Sequence, residues 1–231
     1  YIGIWAISPK HLFADNLKDE LWLVAGGVFG GSLYFFTENT ALGITQASNV
    51  AFIICTAPLL TTILSLLFYK SEKATKGLIY GSLLALIGVG LVVFNGSVVL
   101  KLSPVGDLLT LLAALSWAFY SLVIKRMTGR YPTVFITRKI FFYGVLTILP
   151  AFLLHPLQPD FDVLLQPLVL SNLLFLAVLA SLIYYILWNV VLKQLGTMRA
   201  SNYIYLNPLV TMVASVLILH EQITWITLMG A

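Results

Sequence analysis

Of the 231 residues, 60% are hydrophobic and 10% charged, and the mean hydropathy is +0.97; a soluble domain needs about 25% charged residues to cover its surface, so a water-soluble globule is excluded and lipid must be the solvent. The net charge of +4 sits on short connectors between apolar runs, where it reads as a topology signal and not as a nucleic-acid surface. Cys55, the single cysteine, lies inside an apolar run and reads as a small core residue, which leaves no internal disulfide or thiolate metal cluster.

The apolar stretch at 1–7 lacks a basic leader and a small-residue cleavage site, so it is expected to be the tail of a helix and not a signal peptide. Apolar runs follow at 21–42, 46–69, 77–94, 106–124, 133–154, 168–192 and 198–219, and a last helix begins near Thr224. Each is close to the roughly 20 residues that cross a hydrocarbon core as a helix. The connectors GIT at 43–45 and KQLGT at 193–197 are short enough to force antiparallel hairpins. Backbone groups in lipid must be satisfied within the segment, and no period-2 alternation is present, so the fold is read as an all-α integral membrane protein.

Alternate connectors must lie on opposite sides of the membrane. One side holds Lys10, Lys18, Lys70, Lys73, Lys76, Lys125, Arg126, Arg130, Lys193 and Arg199, while the other holds Lys101 alone. Cytoplasmic loops concentrate Lys and Arg, so the first group is assigned to the cytoplasm. Arg138 and Lys139 fall near the cytoplasmic end of the 133–154 helix and are expected to snorkel to the interface.

A repeat runs through the chain. At an offset of 150, Tyr34 matches Tyr184, Asn39 matches Asn189, Pro58 matches Pro208, Thr61 matches Thr211 and Ser65 matches Ser215; one gap later Glu72 matches Glu221, Thr75 matches Thr224 and Gly81 matches Gly230. The lysines after Tyr69 have no counterpart after Leu219, whereas Lys193 has none in GIT. An odd number of helices per unit explains this, because the second copy then enters the membrane upside down and corresponding loops face opposite sides. The expected architecture is an inverted repeat of five plus five helices, with a first unit at 1–97, an external connector at 98–105 and an inverted second unit at 106–231. On this reading the first helix, most of the second and the end of the last lie outside the sequence.

Pro58-Leu59, Glu72 and Gly81, repeated as Pro208-Leu209, Glu221 and Gly230, resemble the EamA-type domain of the drug/metabolite transporter superfamily. GDLLTLLAALSWAFYSLVIKR at 106–126 resembles the opening helix of that domain, with Ser116-Trp117-Ala118 and the basic pair after it. Lys70 and Ser71, and His220 in the second copy, depart from the residues usual before the glutamate. The resemblance implies a secondary transporter, often an exporter of amino acids or other small metabolites, with a central cavity between two inverted halves and no cofactor.

Glu38 is the carboxylate that lies well inside an apolar helix, three to four residues from its external end, and is the candidate group for proton coupling, against the plainer reading of an interfacial glutamate. Tyr34 shares its face at i−4. Asn39 and Asn189 are repeat-related amides that either line a cavity or fasten neighbouring helices. Trp117 and Tyr120, and Tyr185 and Trp188, form candidate aromatic walls for an apolar or aromatic substrate. Asn202, Tyr205 and Asn207 surround Pro208, and Pro58 and Pro208 are expected to kink their helices at related depths. The glycines of GGVFGG (Gly26, Gly27, Gly30, Gly31), and Gly77 with Gly81, have the spacing of close helix contacts. Glu72 and Glu221 precede helices and are assigned to their dipoles.

The expected function is export of small organic metabolites such as amino acids across a bacterial inner membrane by alternating access. The bilayer and a small-molecule metabolite are its partners, the proton is the candidate coupling ion, and a homodimer is compatible with it. Three alternatives stand beside this reading. A sugar-nucleotide carrier should show more basic residues inside its helices. A non-transporting scaffold or sensor has no need of an inverted repeat. An intramembrane enzyme needs clustered ligands or a nucleophile and base, whereas His11, His155 and His220 lie in loops without metal-ligand spacing.

Overall fold

The computed structural model describes residues 12–69, 75–94, 103–154 and 160–214. The segment 1–7, the cationic stretch 70–74 with Glu72, Lys101, and everything from Ser215 onward, including Glu221 and the helix expected near Thr224, lie outside the described residues. What is described is helical, with no strand among the described residues.

Asn16 opens the first helix, α1 (Leu17–Gly27), its side chain accepting the Asp19 backbone N–H at 2.8 Å. A π-helical turn at Val28–Ser32 leads into α2 (Leu33–Ile44), so the expected 21–42 span is one interrupted rod. The next rod breaks at Cys55-Thr56 into α3 (Ala47–Ile54) and α4 (Ala57–Phe68), with Pro58 in the first turn of α4, where its missing N–H costs nothing. Then come α5 (Lys76–Phe94), α6 (Pro104–Thr128) and α7 (Thr133–Leu154). A short α8 (Phe161–Leu164) precedes α9 (Pro167–Leu174), a second π-helical stretch (Phe175–Ile183) and α10 (Tyr184–Leu195). Gly196, at φ +79, makes the tight turn into α11 (Thr197–Asn202), because a side chain is strained there. A 3-10 turn (Tyr203–Leu206) then hands over to α12 (Asn207–Ala214), again with the proline in the new first turn.

Four helices among the described residues are long and apolar enough to cross a membrane: Asn49–Phe68, Pro104–Thr128, Thr133–Phe152 and Pro167–Leu195. The protein is thus a multi-pass membrane protein. Helix α6 is its axis, packing against α1, α2, α3, α4, α7 and α10, and it is the most buried of the four spans at 61%. Burial is concentrated toward one end. On α6 it includes Tyr120, Ser121, Ile124 and Met127, and on α7 every residue from Phe135 to Ile140, whereas Val145, Leu146 and Leu149 further along α7 are exposed.

The glycines of α1 and its π turn explain how α1 approaches so closely. A Cβ on Gly27 would sit 2.5 Å from the Tyr143 Cβ, one on Gly31 would sit 3.0 Å from the Gly144 Cα, and one on Gly30 would enter the Tyr120 ring. Gly77 and Gly81, expected to make similar contacts, have no described neighbour within 4 Å.

The buried end is also the cationic end. Tyr69 donates to the Leu122 carbonyl at 3.1 Å beneath Lys125, the Arg126 guanidinium lies 4.7 Å from the Trp22 ring, and Ser65 is 2.9 Å from Thr197. Arg138 and Lys139 depart from expectation here. They do not snorkel: both are buried, at 0% and 2% exposure. Glu20 of α1 supplies a counter-charge to Lys139, and the Arg138 guanidinium lies 5.2 Å from the Phe135 ring. Beside them Asp19 accepts from Arg130 at 2.8 and 3.0 Å and from Tyr131 at 3.1 Å.

Candidate functional site

Toward the other end, where the helices part, lies a cavity of about 220 Å³. Tyr34, Phe35 and Glu38 reach it from α2, Ile54 and Ala57 from the two sides of the break before Pro58, and Trp117 from α6. Ala180 belongs to the second π stretch, Tyr184 and Tyr185 to the start of α10, Ile204 to the 3-10 turn, and Asn207 to the first position after it, just before Pro208. Irregular backbone therefore borders the cavity at three places. Non-helical backbone at membrane depth is tolerated where it is buried in protein or lines a cavity.

Glu38 is half-buried and accepts the Tyr34 hydroxyl at 2.9 Å, the i+4 pairing that one helix face allows. Behind them the aromatic rings form a continuous floor. Trp117 lies 5.3 Å from Tyr34, 5.2 Å from Tyr120, 5.9 Å from Tyr185 and 5.7 Å from Trp188, and Tyr184 stacks on Trp188 at 6.1 Å and 12°. Centroid separations of 4.5–7 Å are those at which aromatic pairs attract beyond their buried area. Tyr185 is further fixed by donating to the Gly30 carbonyl at 2.5 Å, across to the π turn of the first rod.

Directly beneath the floor is a buried polar relay. Tyr120 donates to Asn189 Oδ1 at 2.8 Å, and Asn189 Nδ2 donates to Thr137 Oγ1 at 2.9 Å, which ties α6, α10 and α7 together. Each group is satisfied, as polar groups in a membrane interior must be. The cavity wall therefore combines aromatic area, one carboxylate and one amide, a lining suited to a small organic molecule with an apolar body and a polar head. Among the described residues no group of three His, Cys, Asp or Glu is placed to hold a metal ion.

Residues 1–94 and 104–231 match the EamA-like transporter family. The chain belongs to that family. This EamA-like chain is 25% identical over 228 residues to an uncharacterized transporter of Archaeoglobus fulgidus, covering 98% of this chain and 77% of that protein. It is 29% identical over 218 residues to the uncharacterized transporter YyaM of Bacillus subtilis (89% and 67% of the two chains). It is 27% identical over 236 residues to a Salmonella typhimurium protein named a probable amino-acid metabolite efflux pump (96% and 77%). A solved crystal structure superposes with a TM-score of 0.74 over 91% of this chain and 71% of the other at 18% identity, which shows a shared fold.

Of the residues singled out from the sequence, this EamA-like fold brings Tyr34, Glu38, Trp117, Tyr185 and Asn207 to the cavity, and Tyr120, Trp188 and Asn189 to the layer beneath it. Asn39 is not brought there. One residue past Glu38 it is turned about 100° around the helix, and it is exposed, its amide donating to the Phe35 carbonyl at 2.8 Å. Asn202 and Tyr205 are also elsewhere: Asn202 accepts from Ser82 of α5 at 3.3 Å, and Tyr205 packs with Cys55 and Val89 in a separate cluster. The 3-10 turn sets this, since Ile204 and Asn207 line the cavity while Asn202 and Tyr205 meet α5. The sequence reasoning passed over Phe35, Ile54, Ala57, Ala180, Tyr184 and Ile204. Tyr184 had a usable signal, its repeat pairing with Tyr34; the others are apolar residues like dozens more in the chain.

Proposed function

We propose that this protein is a secondary transporter that exports small organic metabolites, amino acids first among them, by alternating access between two inverted halves. The observation that carries the reading is the composition of the cavity. Tyr34, Phe35, Glu38, Ile54 and Ala57 come from the first sequence repeat, and Trp117, Ala180, Tyr184, Tyr185, Ile204 and Asn207 from the second. Tyr34 and Tyr184, equivalent by the repeat, both line it. A site shared between repeats and bordered by broken helices is what alternating access requires. The backbone interruptions also correspond: residues 28–32, advanced by 150, fall at 178–182, inside the second π stretch.

Glu38 is the proton carrier on this reading, because an ionisable side chain on a cavity wall inside the membrane is the group on which a proton can be exchanged. The size of the cavity, below the 300–1,000 Å³ typical of drug-sized ligands, favours single amino acids and related metabolites. Relatives named as amino-acid metabolite efflux pumps support the same substrate class and the outward direction. A bacterial inner membrane is the expected setting, and a homodimer is compatible with it.

Counterflow into liposomes carrying the full-length protein, preloaded with one unlabelled amino acid at a time and given the labelled one outside, tests this. Transient accumulation is expected for at least one amino acid with an apolar or aromatic side chain. Accumulation of sugar nucleotides alone would move the protein to the other carrier class, and no accumulation of any metabolite in the panel would leave the scaffold reading.

A further inference from the structure

We infer that the clamp joining residues 14–20 to residues 130–143 is the cytoplasmic gate of the transport cycle: it holds the inner end shut while the cavity faces outward, and it must part before the cavity can empty inward. The inference rests on the transport reading above.

Position is the first argument. The clamp lies at the cationic end, separated from the cavity by the aromatic floor, the Tyr120–Asn189–Thr137 relay and a fully packed layer that includes Ile124, Met127 and Ile136. Five of its hydrogen-bonded pairs cross between the same two bodies: Asp15–Tyr131, Asp19–Arg130, Asp19–Tyr131, Glu20–Lys139 and Glu20–Tyr143. On one side are Asp19 and Glu20 of α1, with the Asp15 backbone N–H donating to the Tyr131 hydroxyl at 3.0 Å; on the other are Arg130, Tyr131, Lys139 and Tyr143.

Chemistry is the second. Glu20 and Lys139 form a largely buried ion pair, and buried Asp19 pairs with the half-exposed Arg130; a buried ion pair is a weak source of stability, because desolvating both charges offsets most of their attraction, and apolar packing would hold this seam at least as well. The difference appears on opening. An apolar seam exposes its whole area to water when it parts, whereas charged groups regain hydration, so an ionic seam separates at lower cost and closes with defined partners.

Mobility is the third. The π turn at Val28–Ser32 separates α1 from α2, and such turns are where helices bend. Next to it Gly27 and Gly31 put no side chain of their own between α1 and the Tyr143-Gly144 stretch of α7. Helix α1 can thus swing about the turn while Tyr34 and Glu38 stay at the cavity.

The test uses full-length protein in a Cys55→Ala background. In Asp19→Cys/Arg130→Cys, bridging the two thiols with a short cleavable bifunctional reagent should reduce counterflow at least tenfold, and reductant should restore it. Transport that survives complete bridging overturns the gate. Independently, Ser121→Cys, buried between clamp and cavity on α6, reports opening without a substrate. Its labelling by an impermeant thiol reagent from the cytoplasmic side should rise about tenfold on adding Arg130→Gln, and fall back on exchanging the pair as Asp19→Lys/Arg130→Glu. Labelling that ignores Arg130→Gln, or fails to return on charge exchange, also overturns it. If the parent protein moves no substrate while labelling responds as expected, the transport reading fails and the opening of this clamp stands.

Discussion

Glu38 and its hydroxyl partner Tyr34 put a charge within one turn of an aromatic floor, so a substitution there separates chemistry from structure. Glu38→Gln keeps the shape and the ability to accept from Tyr34 but carries no proton. Flux in these vesicles should become insensitive to an imposed pH gradient while substrate still binds; unchanged proton-driven flux would return Glu38 to an interfacial role. Gly30 makes the opposite kind of residue-level demand. An added methyl meets the Tyr120 ring, so Gly30→Ala should cost about 1–3 kcal/mol through overpacking, read as a lower thermal midpoint in detergent. Asp19 lies just ahead of the 21–42 run. Its burial pushes the carboxyl up, but the hydrogen bonds from Arg130, Asn16 and Tyr131 outweigh this and hold it below the usual carboxylate range. Its contribution to stability is therefore complete at neutral pH and is lost as the pH falls below about 4 and through the lowered folded value. Thermal midpoints of Asp19→Asn and the parent protein should accordingly converge at acid pH; a constant gap from pH 7 to pH 3 would contradict the assignment.

Among the elements, the Tyr120–Asn189–Thr137 relay ties α6 to α10 and α7, and it can be weighed. In a double-mutant cycle of Tyr120→Phe and Asn189→Leu, the coupling energy should be about 0.6 kcal/mol and no more than about 1.7, the range of hydrogen bonds between membrane helices. A coupling near zero would mean that packing alone sets the register. The same scale shows what repeat logic can and cannot transfer. Asn39 and Asn189 occupy equivalent positions, yet Asn189 is fully buried between α6 and α7 while Asn39 is exposed and satisfied by its own helix. Duplication conserves position along a helix; the neighbours of each copy decide whether an amide there has anything to bond. The prolines transfer better, because their effect is local. Both begin a new helical segment just after irregular backbone, since a ring without an N–H fits only a first turn without breaking a ladder bond.

For the whole molecule, the orientation of the two repeats is open to direct measurement. The hairpin connectors at 43–45 and 193–197 are equivalent under the repeat. Inversion puts them on opposite sides of the membrane, and a parallel repeat would put them on the same side. In the Cys55→Ala background, Gln46→Cys should label with an impermeant reagent on intact cells, whereas Lys76→Cys, Lys193→Cys and Arg199→Cys should label only after permeabilisation. Labelling of Gln46 and Lys193 from the same side would remove the inverted repeat. The environment, the helical class, the positions of the rods and the family were legible in the sequence, because each follows from a property summed over many residues. Hydrocarbon accepts only apolar spans with internally satisfied backbone, so 60% hydrophobic residues in regular runs leave little choice. The cavity itself was half legible. Glu38, Trp117 and Asn207 are conspicuous against an apolar background, but Ile54, Ala57 and Ala180 line it only through where breaks and π turns place them. Arg138 and Lys139 show the limit most clearly. One-dimensional reasoning sent them to the interface, because an unpaired cation in lipid is costly, and the fold buries both, Lys139 against Glu20, which α1 brings from more than 100 residues away. Solvent and helix are determined by composition and period along the chain; the partner of a buried charge is determined by which distant segment packs against it, and only the tertiary structure decides that.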